Sequence, residues 1–447
     1  MTAITYRKSL YDRVIKYRIE AECREPIHIG GGMGDRGEIL VHPVSGRPFL
    51  QATGIAGAFR EYYSYDPKLQ KELFGIQEND DIACSKVRFT DGDFEHAAVY
   101  TELRPRVRID RKTGTCQTNR INGGTADSGQ KFEMESVSAG SVFRFVIYLF
   151  EKETDYQDQI ERALTALHNG NIQFGGQKSN GCGYVGLRSV QKSVYDMRNA
   201  ENRNLWLGET KPEEEIVSRI TENDRAVDDR LHFVLDAMTE GSILVKSVHV
   251  REYDENAPDA ENIRNHRKEY ILPASSVKGV VRSRIEKICA LKGMAADTVD
   301  KVFGKSGEKD SDDAGLGCVR FYDCVIGEIE SNDRMLPQSR IHIDKFTGGV
   351  MYQGLFSEKA SAGNLKIRVD ISGDGDDRAK ALLLLALRDI GAGVTPLGSG
   401  SSIGRGFLRG STLSISSGQA ETVRIDFGNG TISGEEPVIN SWLAALR

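Results

Sequence analysis

The chain has 447 residues, 39% hydrophobic and 28% charged, with 59 Lys and Arg against 65 Asp and Glu for a formal net charge of −6. That length exceeds what one core usually covers and fits two domains of roughly 200 residues each, while the charge excludes a protein that holds nucleic acid through a general positive field. No apolar run approaches the ~18 residues of a membrane span, and the polar start of the chain is unlike a secretion signal, so a cytoplasmic protein with no membrane partner is expected.

Alternating apolar and polar residues predict strands over 17–23 and 141–150, then over 231–238 and 365–371. Apolar spacing of three and four predicts helices over 54–63, 157–168, 276–291 and 377–390, with Ser275-Ser276 as the expected cap of the third. Strand, helix, strand, strand, helix, strand is the ferredoxin-like order, and it occurs twice. The expected division is 1–195 for a first domain, 196–228 for a charged linker carrying Trp206, and 229–447 for a second domain. The acidic Pro212-Glu213-Glu214-Glu215 within the linker reads as solvated surface.

The duplication is also visible in motifs. Gln51-Ala52-Thr53-Gly54 and Pro273-Ala274-Ser275-Ser276 each turn a strand end into a basic helix. Leu73-Phe74-Gly75 is matched by Val302-Phe303-Gly304, Val87-Arg88-Phe89-Thr90-Asp91 by Val319-Arg320-Phe321-Tyr322-Asp323, and Ile109-Asp110 by Ile343-Asp344. A glycine-rich loop closes each copy, from Phe174 to Tyr184 and from Leu397 to Phe407, and all the offsets lie between about 222 and 234 residues. Glycine-rich turns expose backbone amides and suit phosphate oxygens; the alternative is a tight turn with no ligand. Neither loop has the spacing of a nucleotide-binding P-loop.

Charge is segregated. Arg104, Arg106, Arg108, Arg111, Lys112 and Arg120 crowd one segment, and Arg264, Arg267, Lys268, Lys278, Arg282, Arg284 and Lys287 another. A bound polyanion or simple solvated faces would both explain this. The seven cysteines include no C-x-x-C pair, so neither structural zinc nor a disulfide framework is expected. Cys182 and its counterpart Arg405 are expected to face ligand or solvent. For Asp110 and Asp344, ion pairs with Arg111 and Lys345 are favoured over catalysis.

Taken together, the Ile27 to Gly32 strand end, the basic helices, the Ile-Asp segments and the terminal glycine loops resemble the RAMP superfamily. More narrowly they resemble the Cas seven group of backbone subunits of type III CRISPR effector complexes, here as a tandem pair. The resemblance implies an α+β fold of two tandem ferredoxin-like (RRM-like) domains with inserted thumb-like segments, matched to 106–132 and 346–360. It implies a crRNA guide and complementary target RNA as partners, beside other effector subunits: a large polymerase-like subunit, a guide-end-capping RAMP subunit and small subunits.

The positions it assigns to RNA are Gly31, Gly32, Thr53, Arg60, Gly175, Gly176, Lys178, Ser179 and Gly181 in the first copy. In the second they are Ser275, Ser276, Lys278, Arg282, Phe346, Thr347, Gly398, Ser399, Gly400, Ser401, Ser402 and Arg405. Target RNA is cut in such proteins by an aspartate in the loop after the first strand, which makes Asp35 the candidate here. Asp35 would bind a divalent ion, Mg²⁺ by expectation, or deprotonate a ribose 2′-hydroxyl, although Asp in a glycine-rich turn is also a common turn former. In the second copy Asp254 and Asp259 are the candidates. A scaffold that binds guide without chemistry, and a guide-processing ribonuclease, are the alternatives.

Overall fold

The computed structural model describes residues 11–30, 37–78, 81–94, 99–107, 109–110, 118–119, 128–129, 131–152, 154–208, 211–222, 230–247, 257–295, 297–305, 315–372, 375–418 and 420–446. Gly31, Gly32, Asp35 and Asp254 lie outside the described residues. Contacts divide the chain into two compact units: the described residues of 1–100, 137–176 and 182–228 form one, and those of 101–136, 177–181 and 229–447 the other.

The elements of the first half are β1 (Arg13–Cys23), α1 (Ala52–Tyr62), α2 (Pro67–Phe74), β2 (Val87–Phe89), β3 (Thr101–Val107), β4 (Lys131–Val137), β5 (Val142–Glu151), α3 (Gln157–His168), β6 (Val185–Asp196), α4 (Ala200–Gly208) and α5 (Val217–Glu222). Those of the second half are β7 (Leu231–Glu240), α6 (Ala274–Lys292), α7 (Asp297–Phe303), β8 (Val319–Phe321), β9 (Gln338–Ile343), β10 (Val350–Lys359), β11 (Asn364–Ile371), α8 (Asp377–Gly391) and β12 (Phe407–Ser417). All four expected strands and all four expected helices are present. The segment expected to be a linker carries α4 and α5, and Ile216 and Ile220 are buried in the first core. Its acidic run is exposed, as expected of surface, and Glu214 and Glu215 also pair with Lys192 and Gln191 as a short edge strand.

In the first unit the strands run β6-β1-β5-β2, and in the second β12-β7-β11-β8, all antiparallel. The registers correspond residue for residue. Lys16, Tyr148 and Arg88 lie across from one another as His232, Asp370 and Arg320 do, and the first strands bulge at equivalent places, Glu20/Ala21 and Asp236/Ala237. Alternation puts Ile15, Tyr17, Ile19, Phe143, Phe145 and Ile147 on one face, where they pack with Ile160, Ala163, Leu164 and Leu167 of α3. In the second unit Phe233, Leu235, Ile367 and Val369 meet Val277, Val281 and Ile285 of α6 and Leu383, Leu387 and Ile390 of α8. Each such side chain contributes about 1.5–3 kcal/mol of burial free energy.

Two repeated motifs have a structural cause. Phe74 stacks on Phe89 at 6.3 Å and 8°, and Phe303 on Phe321 at 6.2 Å and 7°, so the Phe-Gly helix end and the central Phe of the Val-Arg-Phe strand form one joint. The terminal Asp of the strand motif caps the basic helix: the Ala52 N–H donates to Asp91 at 2.6 Å, and the Ala274 N–H to Asp323 at 2.9 Å. This corrects the expected cap at Ser275-Ser276. The flanking residue of α6 is Pro273, with no side-chain hydrogen bond of its own.

Candidate nucleic-acid interface

The glycine loops share one backbone path. The Phe174 N–H donates to the Gly183 carbonyl at 3.0 Å and that of Leu397 to Gly406 at 2.8 Å; the Gly176 N–H donates to His28 at 2.9 Å and that of Ser399 to Leu244 at 2.8 Å. Between these ties lies a single 3₁₀ turn, Lys178–Asn180 or Ser401–Ile403, flanked on both sides by left-handed residues, Gln177 and Gly181 or Gly400 and Gly404. A Cβ at Gly175 would sit 2.3 Å from the His28 carbonyl oxygen, and one at Gly398 would sit 2.7 Å from that of Leu244. These glycines are therefore demanded by the close approach to the strand end. The Gly176 and Ser399 amides, expected to serve a ligand, are spent inside the fold.

The two turns differ in surroundings. Ser401, Ser402 and Gly404 are exposed, and a Cβ at Gly404 would meet nothing. Gly181 is buried, with a Cβ position 2.6 Å from the Phe321 carbonyl oxygen. Lys278 on α6 donates to the Ser179 hydroxyl at 2.8 Å. Burial, then the charges of Arg282 and Arg106, lower its pKa to about 8.

Other predicted positions are already partnered. Arg282 pairs with Glu286 at 3.3 Å and Asp300 at 3.4 Å. Cys182 and Arg405 are both buried, against expectation, because this position points under the loop rather than away from it. Arg405 donates to Glu358 at 2.7 Å and to Gln338 at 3.2 Å. Glu358 also receives Lys246 at 3.1 Å and Arg340 at 3.6 Å. Burial alone would raise its pKa, but the hydrogen bonds from Lys246 and Arg405 outweigh burial and hold it below the usual carboxylate value. Thr53 and Arg60 are exposed on α1, and Ser275 and Ser276 are half-buried on α6.

The loops that hold the candidate catalytic residues are closed by equivalent bridges, Gly30 to Ile39 and Lys246 to Asn262. Asp259 is tied down: its carboxylate accepts from the Ser357 N–H at 2.7 Å and from the Ser357 hydroxyl at 3.2 Å. Among the described residues no group of three or more His, Cys, Asp or Glu could hold a metal ion.

A family model of the RAMP superfamily matches residues 20–186 and again 244–409, most of the chain and both copies. The chain is a two-copy member of the RAMP superfamily. No curated protein matches it. Among solved structures it is similar to a chain of the "Type III-B Cmr-beta bound to cognate target RNA", at 20% identity and a TM-score of 0.29. That match covers 40% of this chain and 61% of the other, less than two thirds of its length.

Each RAMP copy carries an extended ribbon, β3 with β4 and β9 with β10, the second widened by a short parallel strand, Ala260–Glu261, along β10. The second bears an apolar face unusual for a surface, with Phe346 fully exposed and Tyr352 93% exposed beside Val350 and Leu355. Its turn is shaped by Asp344, whose carboxylate accepts from the Phe346 N–H at 2.7 Å and the Thr347 N–H at 2.9 Å; those bonds lower its pKa. This Asx turn replaces the expected ion pair with Lys345. On β3, Arg104 lies between Glu102 and Asp323, each at 2.6 Å, and Arg106 donates to Gln177 at 3.1 Å. Sequence reasoning missed Glu358, Lys246 and the capping aspartates. The recurrence of Asp91 as Asp323 was the available signal for the caps; Glu358, with Met134 at the first-copy position, had none.

Among the described residues no helix is long and apolar enough to cross a membrane.

Proposed function

We propose that this RAMP protein is a guide-RNA-binding backbone subunit of a type III CRISPR ribonucleoprotein and that it cleaves complementary target RNA. The observation that carries this is the duplicated frame: in each copy a glycine loop, a strand-end loop and an extended ribbon spring from equivalent places on equivalent sheets. A repeated frame suits a repeated ligand. A guide of any sequence must be held by its backbone, through amides, hydroxyls and cations such as those of Ser401, Ser402, Ser179 and Lys278. Its partners on this reading are the guide, the target strand and the other subunits of the complex.

For cleavage, the Asp35 carboxylate would take the proton of a ribose 2′-hydroxyl. The 2′-oxygen then bonds to phosphorus as the bond from phosphorus to the 5′-oxygen breaks, leaving a 2′,3′-cyclic phosphate, while the departing oxygen takes a proton from water. A divalent ion held by Asp35 and phosphate oxygens would neutralise charge developing on the phosphate. The non-catalytic scaffold is favoured for the second copy by one observation: Ser357 already occupies the Asp259 carboxylate.

The test is cleavage of end-labelled complementary RNA by the guide-loaded assembly in Mg²⁺, with Asp35→Ala, Asp254→Ala and Asp259→Ala compared at equal guide occupancy. Loss of one product band with Asp35→Ala alone supports a single active copy. An unchanged pattern in all three variants leaves the chain a scaffold.

A further inference from the structure

The sheet faces turned away from the helical cores differ between the copies, although their registers agree. In the second unit the row His232, Asp370, Arg320 is closed by ion pairs. Asp370 is fully buried, with His232 Nδ1 at 2.8 Å, the Tyr322 hydroxyl at 2.6 Å and Arg368 at 3.0 Å. In the first unit the same row is Lys16, Tyr148, Arg88, and it borders an open cleft of about 450 Å³ lined by Arg88, Phe89, Tyr148, Phe150, Trp206 and Leu207. A fold that closes this face with charge in one copy and leaves it aromatic and open in the other does not need the cleft for stability.

The lining has a definite chemistry. Trp206 of α4 stands edge-on to Tyr148 at 5.7 Å and to Tyr195 at 5.1 Å, which fixes the indole as one wall. The Arg88 guanidinium lies over the Phe150 ring at 4.6 Å, and among the described residues no carboxylate pairs with it. Leu207 is 80% exposed at the rim. Flat π-faces beside an un-neutralised guanidinium complement a ligand that is both planar and anionic, and the volume is that of a small-molecule site. A purely apolar occupant would leave the Arg88 charge unanswered.

We propose that this cleft binds one nucleotide, its base against Trp206 and Tyr148 and its phosphate on Arg88. The nucleotide is either a residue of a single RNA strand or a free mononucleotide; only the first source rests on the RNA-binding reading above.

The test uses the full chain and the quenching of Trp206 fluorescence, taken as the part of the signal lost in Trp206→Phe, on titration with AMP and with octa-adenylate. Saturable quenching by either ligand is expected, weakened about tenfold or more by Arg88→Ala. Stronger binding of the octamer than its eight sites explain identifies a strand, and equal binding per site identifies the free nucleotide. Absence of quenching, quenching indifferent to Arg88→Ala, or displacement of AMP by N-acetyl-tryptophanamide at equal concentration overturns the proposal, the last pointing to a protein side chain as occupant. Guide RNA binding followed in parallel by gel shift separates the two claims. Retained shift without quenching removes the cleft alone, whereas quenching by AMP without any shift removes the guide-binding reading and leaves the cleft standing.

Discussion

Asp91 and Asp323 occupy the same place in the repeat, yet their removal should cost different amounts. Asp91→Ala deletes one acceptor, that of the Ala52 N–H, at an exposed site; loss of such a helix-end acceptor costs about 1 kcal/mol. Asp323→Ala deletes the equivalent bond to Ala274 and also removes the contact to Arg104, whose side chain is only 9% exposed. A charge-assisted hydrogen bond is worth about 1.5–3 kcal/mol, and the contact of Arg104 with Glu102 at 2.6 Å is left in place. The second variant should therefore lose about 3 kcal/mol. For units of this size 1 kcal/mol shifts the midpoint by roughly 2–4 °C, so calorimetry should show a drop of a few degrees in the first unit's transition for Asp91→Ala and about 6–12 °C in the second unit's for Asp323→Ala. Adding Arg104→Met together with Glu102→Gln to Asp323→Ala should recover part of the loss, because neither a cation nor a carboxylate is then left buried without its partner. Equal shifts for the two single variants, or no recovery in the triple, would refute the reasoning.

Three further outcomes are expected. Glu358 has a lowered folded pKa, so its contribution is complete above the ordinary carboxylate value and is lost as pH falls through the folded one; the thermal gap between wild type and Glu358→Gln should narrow as pH falls below the ordinary carboxylate range, and a gap independent of pH would exclude this ion-pair cluster. Lys278, with its pKa at about 8, carries less charge as pH rises through that value, so RNA affinity should fall between pH 7.5 and 9 in the wild type but not in Lys278→Ala, as read by filter binding. Folding should respond in the opposite sense, stability rising with pH above 8 as the unfolded chain keeps its proton longer. A Cβ at Gly183 would lie 2.1 Å from the Phe174 carbonyl oxygen, whereas one at Gly404 meets nothing; Gly183→Ala should abolish soluble expression, and Gly404→Ala should cost only the strain of its left-handed backbone, about 1–2 kcal/mol by denaturant titration.

The frame was legible because it is written in local patterns. Alternation marked β1, β5, β7 and β11, and the spacing of Ile160, Ala163, Leu164 and Leu167 marked α3. Long-range partnerships were not legible. Nothing local to Arg405 shows that Glu358, 47 positions away, will draw it under the loop, and a glycine that fits against a neighbouring carbonyl looks in sequence like one that offers its amide to a ligand. Trp206 stood out in a charged segment, but its placement against Tyr148 and Tyr195 depends on where α4 folds back.

The difference between the copies bears on how each works. What the frame requires recurs in both: the stacked Phe pair, the capping Asp, the glycines at the close approaches. What surrounds the loops does not. The loop base carries Gly30 in one copy and Lys246 in the other, the position under the glycine loop carries Cys182 or Arg405, and the ribbon carries Met134 or Glu358. The second copy thereby gathers Lys246, Arg340 and Arg405 around one carboxylate beside its strand-end loop, whereas in the first copy Gly30, Cys182 and Met134 are uncharged and Arg106, at the Arg340 position, donates to Gln177. A phosphate beside the second loop would meet two fixed charges, Lys246 and Arg405, that have no charged counterpart at Gly30 and Cys182. Replacing Lys246 with Gly, as at the first-copy position, should therefore lower the salt dependence of RNA binding measurably, whereas Gly30→Ala should leave that slope unchanged.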